Sequence, residues 1–332
     1  MQRPLRFGSY LCLMVCLSCF VKSLAADEPV VPKVTKADVE AMMKDLSNWG
    51  RWGKDDQLGT LNLITPAKRR QAAALVKDGV SVSMAYRQTG GKEKEENGFR
   101  HVMEINPVDN EVSGAGDVFT MRFHGFSQTH LDALCHIFFK GQMYNGYSAR
   151  EVLGTGAAKL GVERVQAGIF TKCVLMDIPE LLGVRYLDGP RPITVADLEA
   201  WEKKSGVKVE QGDAMIINTG RWDRQDASGE WEFMQGSAGL HASVLPWIKE
   251  RGIALVGSDL ALDVMPSQVE GVELPVHLVV VVGMGMPILD VGDFRAVTKE
   301  ARQRKRWEFL LNIAPLAVQG GTGSPINPIA TF

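Results

Sequence analysis

His130, Asp132 and His136 fall within seven residues, in the stretch Thr129-His130-Leu131-Asp132-Ala133-Leu134-Cys135-His136, which takes two of the chain's six histidines. His130 and Asp132 are two apart, so on an extended segment both side chains project to one face. Imidazole nitrogen with carboxylate oxygen suits a borderline-to-hard divalent metal such as zinc or manganese. His136, four residues after Asp132, is a further ligand or a general base acting on a metal-activated water. The bland alternative is a strand end with a polar edge and histidines satisfied by the core. The spacing H-x-D-x-x-x-H weighs toward the metal.

Alternating short β-rich and helical stretches must position these groups. Val80–Tyr86, Val118–Phe123, Ile169–Asp177, Ala214–Asn218, Ile253–Ser258 and Leu278–Val282 read as strands. Helical patterns occupy 37–46, 66–76, 195–204, 240–250 and 293–302. Thr35 or Lys36 starts the first, Pro66 suits a first turn of the second, and Thr194 caps the third with Asp197 in its opening turn. Pro246 makes the fourth start late or kink. Gly90 to Asn97 reads as an exposed charged loop. Strands and helices interleaved this way indicate an α/β or α+β domain. No internal repeat or linker divides it, so one domain is the economical reading.

The first residues read differently. Arg3 and Arg6 precede an apolar run from Tyr10 to Val21, followed by Ser23-Leu24-Ala25-Ala26, the layout of a secretory signal peptide cleaved after Ala25. The expected organisation is therefore a signal peptide at 1–25, a lead and helix at 26–47, and the functional domain at 48–332, in a secreted or periplasmic protein. Lipidation at Cys19 is the alternative fate of that segment. Removing it leaves Cys135 and Cys173 as buried free thiols rather than a disulfide framework. The apolar fraction of 45% suffices for a core in the roughly 300 residues that remain. A net charge of −2 without a long basic run argues against nucleic acid, and no stable membrane span is expected after cleavage.

Thr129–His136 resembles the signature of the metal-dependent cyclase family, which includes bacterial kynurenine formamidases and isatin hydrolases. Asn48–Asn62, Asp213–Trp222 with its Asn-Thr-Gly-Arg-Trp core, Gly257-Ser258-Asp259, Gly285–Asp290 and the Gly-rich tail 320–328 also look like segments of its longer members. The resemblance implies a swivelling β/β/α fold, homo-oligomerisation, and hydrolysis of a small amide, lactam or imide with a divalent metal. It implies that His130 and Asp132 are metal ligands, with Asp132 able to bridge two ions, and that His136 is the catalytic proton carrier. It also makes His277 and Asp290 ligands, although the formamidases carry a glutamate near the latter position.

The family pattern places a histidine four residues before His130, where this chain has Phe126. A straight strand from His124 to His130 spans about 20 Å, so His124 reaches the same ion only if Gly125–Ser127 turn the chain; Gln128 is the other replacement. These departures favour one ion, with two as the alternative. His101 lacks a supporting constellation, and His241 belongs to a helix start.

Trp49, Trp52 and Trp222 are candidates for an apolar wall against a small-molecule substrate, with Met284 and Met286 beside them. Core filling is the competing role for any one tryptophan. Arg221 or Arg51 can bind a substrate carboxylate or pair with a structural acid. No G-x-S-x-G elbow and no phosphate loop occurs; Gly320–Gly323 reads as a turn or a tail packing on a neighbour. Hydrolysis of a lactone, and small-molecule binding on the same fold without turnover, are the rival functions.

Overall fold

The computed structural model describes residues 31–87, 99–106 and 113–332. The signal-peptide segment and the 90–97 loop lie outside the described residues. Among those described, no helix is long and apolar enough to cross a membrane.

A nine-stranded mixed sheet organises the chain. Its strands are β1 (Ser81–Ser83), β4 (His130–Asp132), β5 (Ile169–Asp177), β6 (Ala214–Asn218), β7 (Leu255–Ser258), β8 (Ile288–Asp290), β9 (Glu308–Ile313), β10 (Gly323–Pro325) and β11 (Ile329–Thr331). Their spatial order is β1-β11-β9-β5-β6-β7-β8-β4-β10. The central run β5-β6-β7-β8 is parallel and the flanking pairs are antiparallel. Besides a short helix at Ile178–Leu182, the α-helices among the described residues are α1 (Lys36–Asp45), α2 (Pro66–Ala73), α3 (Val195–Ser205), α4 (Arg221–Ser228), α5 (Leu245–Arg251), α6 (Pro275–His277) and α7 (Arg295–Arg304). This is the mixed α/β fold expected.

The central strands are buried on both faces, which is why their sequences are apolar runs rather than alternations. Val174, Met176, Met215, Ile217, Val256 and Ile288 join one core layer. Their neighbours Cys173, Leu175, Ala214, Ile216, Leu255 and Leu289 join the other. Cys135 and Cys173 are free and buried, as expected. Alternation carries into β4, where Leu131 belongs to the second layer and His130 and Asp132 therefore point to the opposite face.

Strands β5 and β6 occupy the ranges expected of them, and α3 is one residue longer, with a Thr194–Asp197 capping box. Helix α1 is capped by Thr35 and α5 starts late, at Leu245 beside Pro246. Other boundaries move: α2 stops at Ala73, β1 shrinks to Ser81–Ser83, and the 118–123 strand is Ala115–Met121 (β3), paired in a hairpin with Phe99–Ile105 (β2). Leu278–Val282 is not a strand. It lies within a π-helical turn, Leu278–Gly283, that continues α6. A valine run buried on all sides carries no periodicity to separate strand from helix. Here Pro275 in the first turn and Asp263, which accepts the amides of Val276 and His277 at 2.7 and 3.1 Å, start a helix instead.

The Asn48–Asn62 loop is pinned to the end of that turn: Asn48 N donates to Gly283 O and Thr60 N to Gly285 O, at 3.0 and 2.8 Å. The Gly-rich tail pairs within its own chain, as β10 lies antiparallel on β4 with Gly323 opposite Asp132. A Cβ at Gly323 would sit 2.5 Å from Leu131 O, so the close strand approach depends on glycine. Gly323→Ala is expected to destabilise the protein by about 1–3 kcal/mol, measured as a lowered midpoint in denaturant unfolding; an unchanged midpoint contradicts the tight approach.

Candidate metal centre

Three neighbouring stretches bring the polar groups together. In the antiparallel pairing of β8 with β4, Asp290 lies directly opposite His130 and Ile288 opposite Asp132. Directly opposed residues hold their Cβ atoms about 5 Å apart, so the register alone delivers a second carboxylate to the first motif. His277 ends α6, and its Nε2 lies 3.0 Å from Asp290 Oδ2.

His124 arrives by the turn that its distance required. Residues 124–127 form a turn and Gly125 has φ 125°, a backbone conformation that favours glycine. The imidazole folds back until Nδ1 is 3.0 Å from Asp132 Oδ1. His124 thus joins His130 and Asp132, as Phe126 could not, in a group able to hold a metal. The Gln128 side chain is buried and its Oε1 has no hydrogen-bond partner.

Two overlapping triads result, His124–His130–Asp132 and Asp132–His277–Asp290, each with its donor atoms within 4.8 Å of one another. Asp132 belongs to both. The donor set fits a divalent ion on three orphaned atoms: His124 Nδ1, Asp132 Oδ1 and Asp290 Oδ1 are buried without a hydrogen-bond partner. Buried polar atoms are seldom left so, and the residues that carry them belong to the two triads. Borderline nitrogen and hard oxygen donors match zinc and manganese alike.

The far side of each imidazole is anchored. His130 Nδ1 donates to Gln128 O at 2.7 Å, because a carbonyl can only accept, which leaves Nε2 to face Asp132 Oδ1 at 3.4 Å. His277 Nδ1 donates to Asp263 Oδ2 at 2.6 Å, which turns its Nε2 to Asp290. His124 Nε2 bonds the Thr322 hydroxyl at 3.0 Å. Such partners set tautomer and ring orientation at metal-binding histidines.

Burial opposes the charged forms here, and proximity of opposite charges counters it. For Asp132 the facing imidazoles of His124 and His130 outweigh burial and hold the carboxyl well below its ordinary range. For His130 the facing carboxylate of Asp132 outweighs burial, and for His277 the charges and bonds of Asp290 and Asp263 do so; both are raised. Burial keeps Asp290 above its ordinary value despite His277. The carboxylates therefore draw positive charge into this pocket.

His136 differs. It is 27% exposed, its Nε2 is 3.9 Å from Asp132 Oδ2, and its ring stacks on His124 at 3.8 Å. Burial pushes its pKa down to about 4, beyond what the charge of Asp132 restores. A neutral, partly exposed imidazole beside the triads is able to accept a proton.

The substrate-wall residues separate. Trp49 Nε1 donates to Val282 O at 2.7 Å, Trp52 packs on the second core layer, and Trp222 stacks on Tyr86 at 3.8 Å with Nε1 on Gly292 O. Among the described residues none of the three rings stacks on another. Met284 and Met286 are buried in the core. Arg51 bonds Asn48 Oδ1, and Arg221 donates through Nη2 to Phe126 O at 2.8 Å. His101 pairs with Asp117 on the exposed hairpin, and His241 caps a short 3-10 turn as expected.

Asp263 and Thr322 escaped the motif reading. Asp263 had a legible sign: a lone acid in the apolar run Leu260-Ala261-Leu262-Asp263-Val264-Met265, where a buried carboxylate needs partners. Thr322 had none, because its proximity depends on the return of the tail.

Comparison with known proteins places the fold and the motif in one lineage. No match was found among curated proteins. Among solved structures, a protein described as a novel cyclase is 30% identical with a TM-score of 0.76, over 87% of this chain and 99% of that one. Isatin hydrolase A from Ralstonia solanacearum is 18% identical with a TM-score of 0.52, over 76% and 91% of the two chains. Isatin hydrolase A from Labrenzia aggregata, bound to benzyl benzoate, is 18% identical with a TM-score of 0.51, over 78% and 94%. The isatin hydrolases share the fold. The putative cyclase family itself matches residues 80–263, a span that contains the His130–Asp132–His136 motif, and the chain belongs to that family.

Proposed function

We propose that the protein is a divalent-metal-dependent hydrolase of a small amide, lactam or imide. The observation that carries this reading is the pair of triads sharing Asp132 with the neutral His136 beside them. His124, His130 and Asp132 would hold one ion, and Asp132, His277 and Asp290 would offer the place for a second. A divalent ion there supplies Lewis acidity that polarises a carbonyl and acidifies a nearby water. His136 takes the proton of the attacking water at its imidazole and delivers one to the leaving nitrogen. Asp263 and Gln128 O keep the lone pairs of His277 and His130 aimed inward. The family membership and the isatin hydrolase fold agree with this chemistry, and the basic, apolar, alanine-ended segment 1–26 supports export.

The test is turnover of N-formylkynurenine, isatin, small lactams and lactones by metal-loaded and chelator-treated protein. Hydrolysis of a C–N substrate that is lost on chelation, restored by zinc or manganese and reduced at least about 100-fold in His136→Ala is expected. Turnover of lactones alone reassigns the bond cleaved. Stoichiometric metal without turnover, together with tight binding of a small molecule, identifies a binding protein instead. Activity unchanged in His136→Ala removes that residue from the proton path.

Asp263→Asn replaces the carboxylate behind His277 with an amide of the same shape. It is expected to weaken metal binding by about 10–100-fold, read by competition with a chromophoric chelator. Metal affinity equal to that of the unsubstituted protein shows that Asp263 serves only to start α6.

Self-association is proposed to use the β2–β3 hairpin, where Ile105, Phe119, Met103 and Val118 are exposed. Light scattering is expected to show an oligomer that Ile105→Lys with Phe119→Lys dissociates; a monomeric unsubstituted protein refutes it.

A further inference from the structure

Arg221 is a buried cation without an anion. It begins α4, is 4% exposed, and forms no ion pair among the described residues. Nη2 is satisfied by Phe126 O, but Nε and Nη1 are buried with no hydrogen-bond partner. The nearby carboxylate, Asp259, does not serve the guanidinium: its oxygens accept Thr219 N, Thr219 Oγ1 and the backbone N of Arg221. Burial lowers the Arg221 pKa to about 10, so the group is still charged at neutral pH. The rings of Trp222 and Phe233 face it at 3.7 and 4.9 Å. Such contacts offset burial of a cation only in part, and the two free N–H directions remain.

The surroundings suit a ligand. Phe126, Trp231 and Phe233 are partly buried around Leu260, Ala261 and Met265 in an apolar cluster separate from the two core layers. Leu260 O accepts the amide of Val291, next to Asp290. Phe126 follows His124 by two residues, which reach at most about 7 Å. With the reach to the Phe126 carbonyl and the 2.8 Å hydrogen bond added, Arg221 Nη2 lies within roughly 12 Å of the His124 Cα. A cation with free fork donors, beside aromatic rings and bonded to the turn that carries His124 to the triads, suits a carboxylate joined to an apolar body.

We propose that Arg221 is a specificity-determining residue that binds a carboxylate of the substrate through Nε and Nη1, so that the substrate class is amido acids with an aromatic or similarly apolar body. This rests on the hydrolase reading above.

The experiment compares metal-loaded protein on N-formylphenylalanine and on N-formylphenethylamine, which lacks only the carboxylate. It also measures 3-phenylpropanoate binding by calorimetry, with metal content determined for every variant. The acid is expected to exceed the neutral compound in kcat/KM by about tenfold or more, and Arg221→Met to reduce that ratio by a similar factor. Arg221→Lys, which keeps the charge but not the fork, is expected to give an intermediate ratio, and it serves if the methionine variant does not fold. Equal kcat/KM for the two compounds, or an unchanged ratio in a metal-loaded variant, overturns the proposal while leaving the hydrolase reading intact. If neither compound nor any other amide is cleaved, the hydrolase reading fails. Weaker 3-phenylpropanoate binding in the Arg221 variants then still supports the carboxylate site, and unchanged binding overturns it.

Discussion

A buried carboxylate that needs positive charge from several directions organises this protein. Asp132 has almost no exposure and sits between His124 and His130 on one side and the His277–Asp290 pair on the other. An ionised carboxylate in an apolar interior is strongly unfavourable unless paired and hydrogen-bonded. Asp290 and Asp263 compound the demand, since both are also buried. Two buried imidazoles drawn toward the protonated state offset part of this, and a divalent ion is the denser counter-charge for the same donors. The sheet order serves that requirement: β4 lies between β8 and β10, so one neighbour contributes Asp290 and the other brings the tail with Thr322.

The fold was legible where burial and local capping agree. Ile169–Asp177 and Ala214–Asn218 are apolar runs of strand length bounded by turn formers, and they became the strands expected. Thr194 and Asp197 close a capping box that any helix beginning at Val195 would use. The failure at Leu278–Val282 has a physical cause. Valine prefers strands, but the segment follows a proline and receives caps from Asp263, and those caps come from a residue remote in sequence. Tertiary contacts overrode propensity there.

The site was legible to the extent that it is local. His130, Asp132 and His136 share one short segment, and their relation follows from a period of two and a short loop. His277 and Asp290 stood as weak features alone, because only the β8–β4 register makes them neighbours of the first motif. Asp263 acts through His277, and its role needs both partners in place. The tryptophans were grouped by composition, and the structure shows what holds two of them: the N–H groups of Trp49 and Trp222 donate to the carbonyls of Val282 and Gly292. A buried indole such as that of Trp222 needs a hydrogen-bond partner, and such a partner is set by the fold rather than by composition.

Phe126 ties these threads together. In the pattern that the motif resembles, a histidine stands there, four residues before His130. Moving the imidazole two residues earlier lengthens the path to Asp132, and a straight chain cannot cover it. The chain compensates with a turn at Gly125, and the turn has to be held. Its hold is the Phe126 carbonyl, which accepts from Arg221, while the Phe126 ring packs against Phe233. The Asn218–Trp222 segment carrying Arg221 is fixed in turn by Asp259, through Thr219 and the Arg221 amide. The turn carrying His124, the Asn-Thr-Gly-Arg-Trp core and the Gly-Ser-Asp segment are therefore one mechanical unit. A substitution that looks like a loss in the motif is, in three dimensions, the residue that anchors the turn bringing His124 to Asp132.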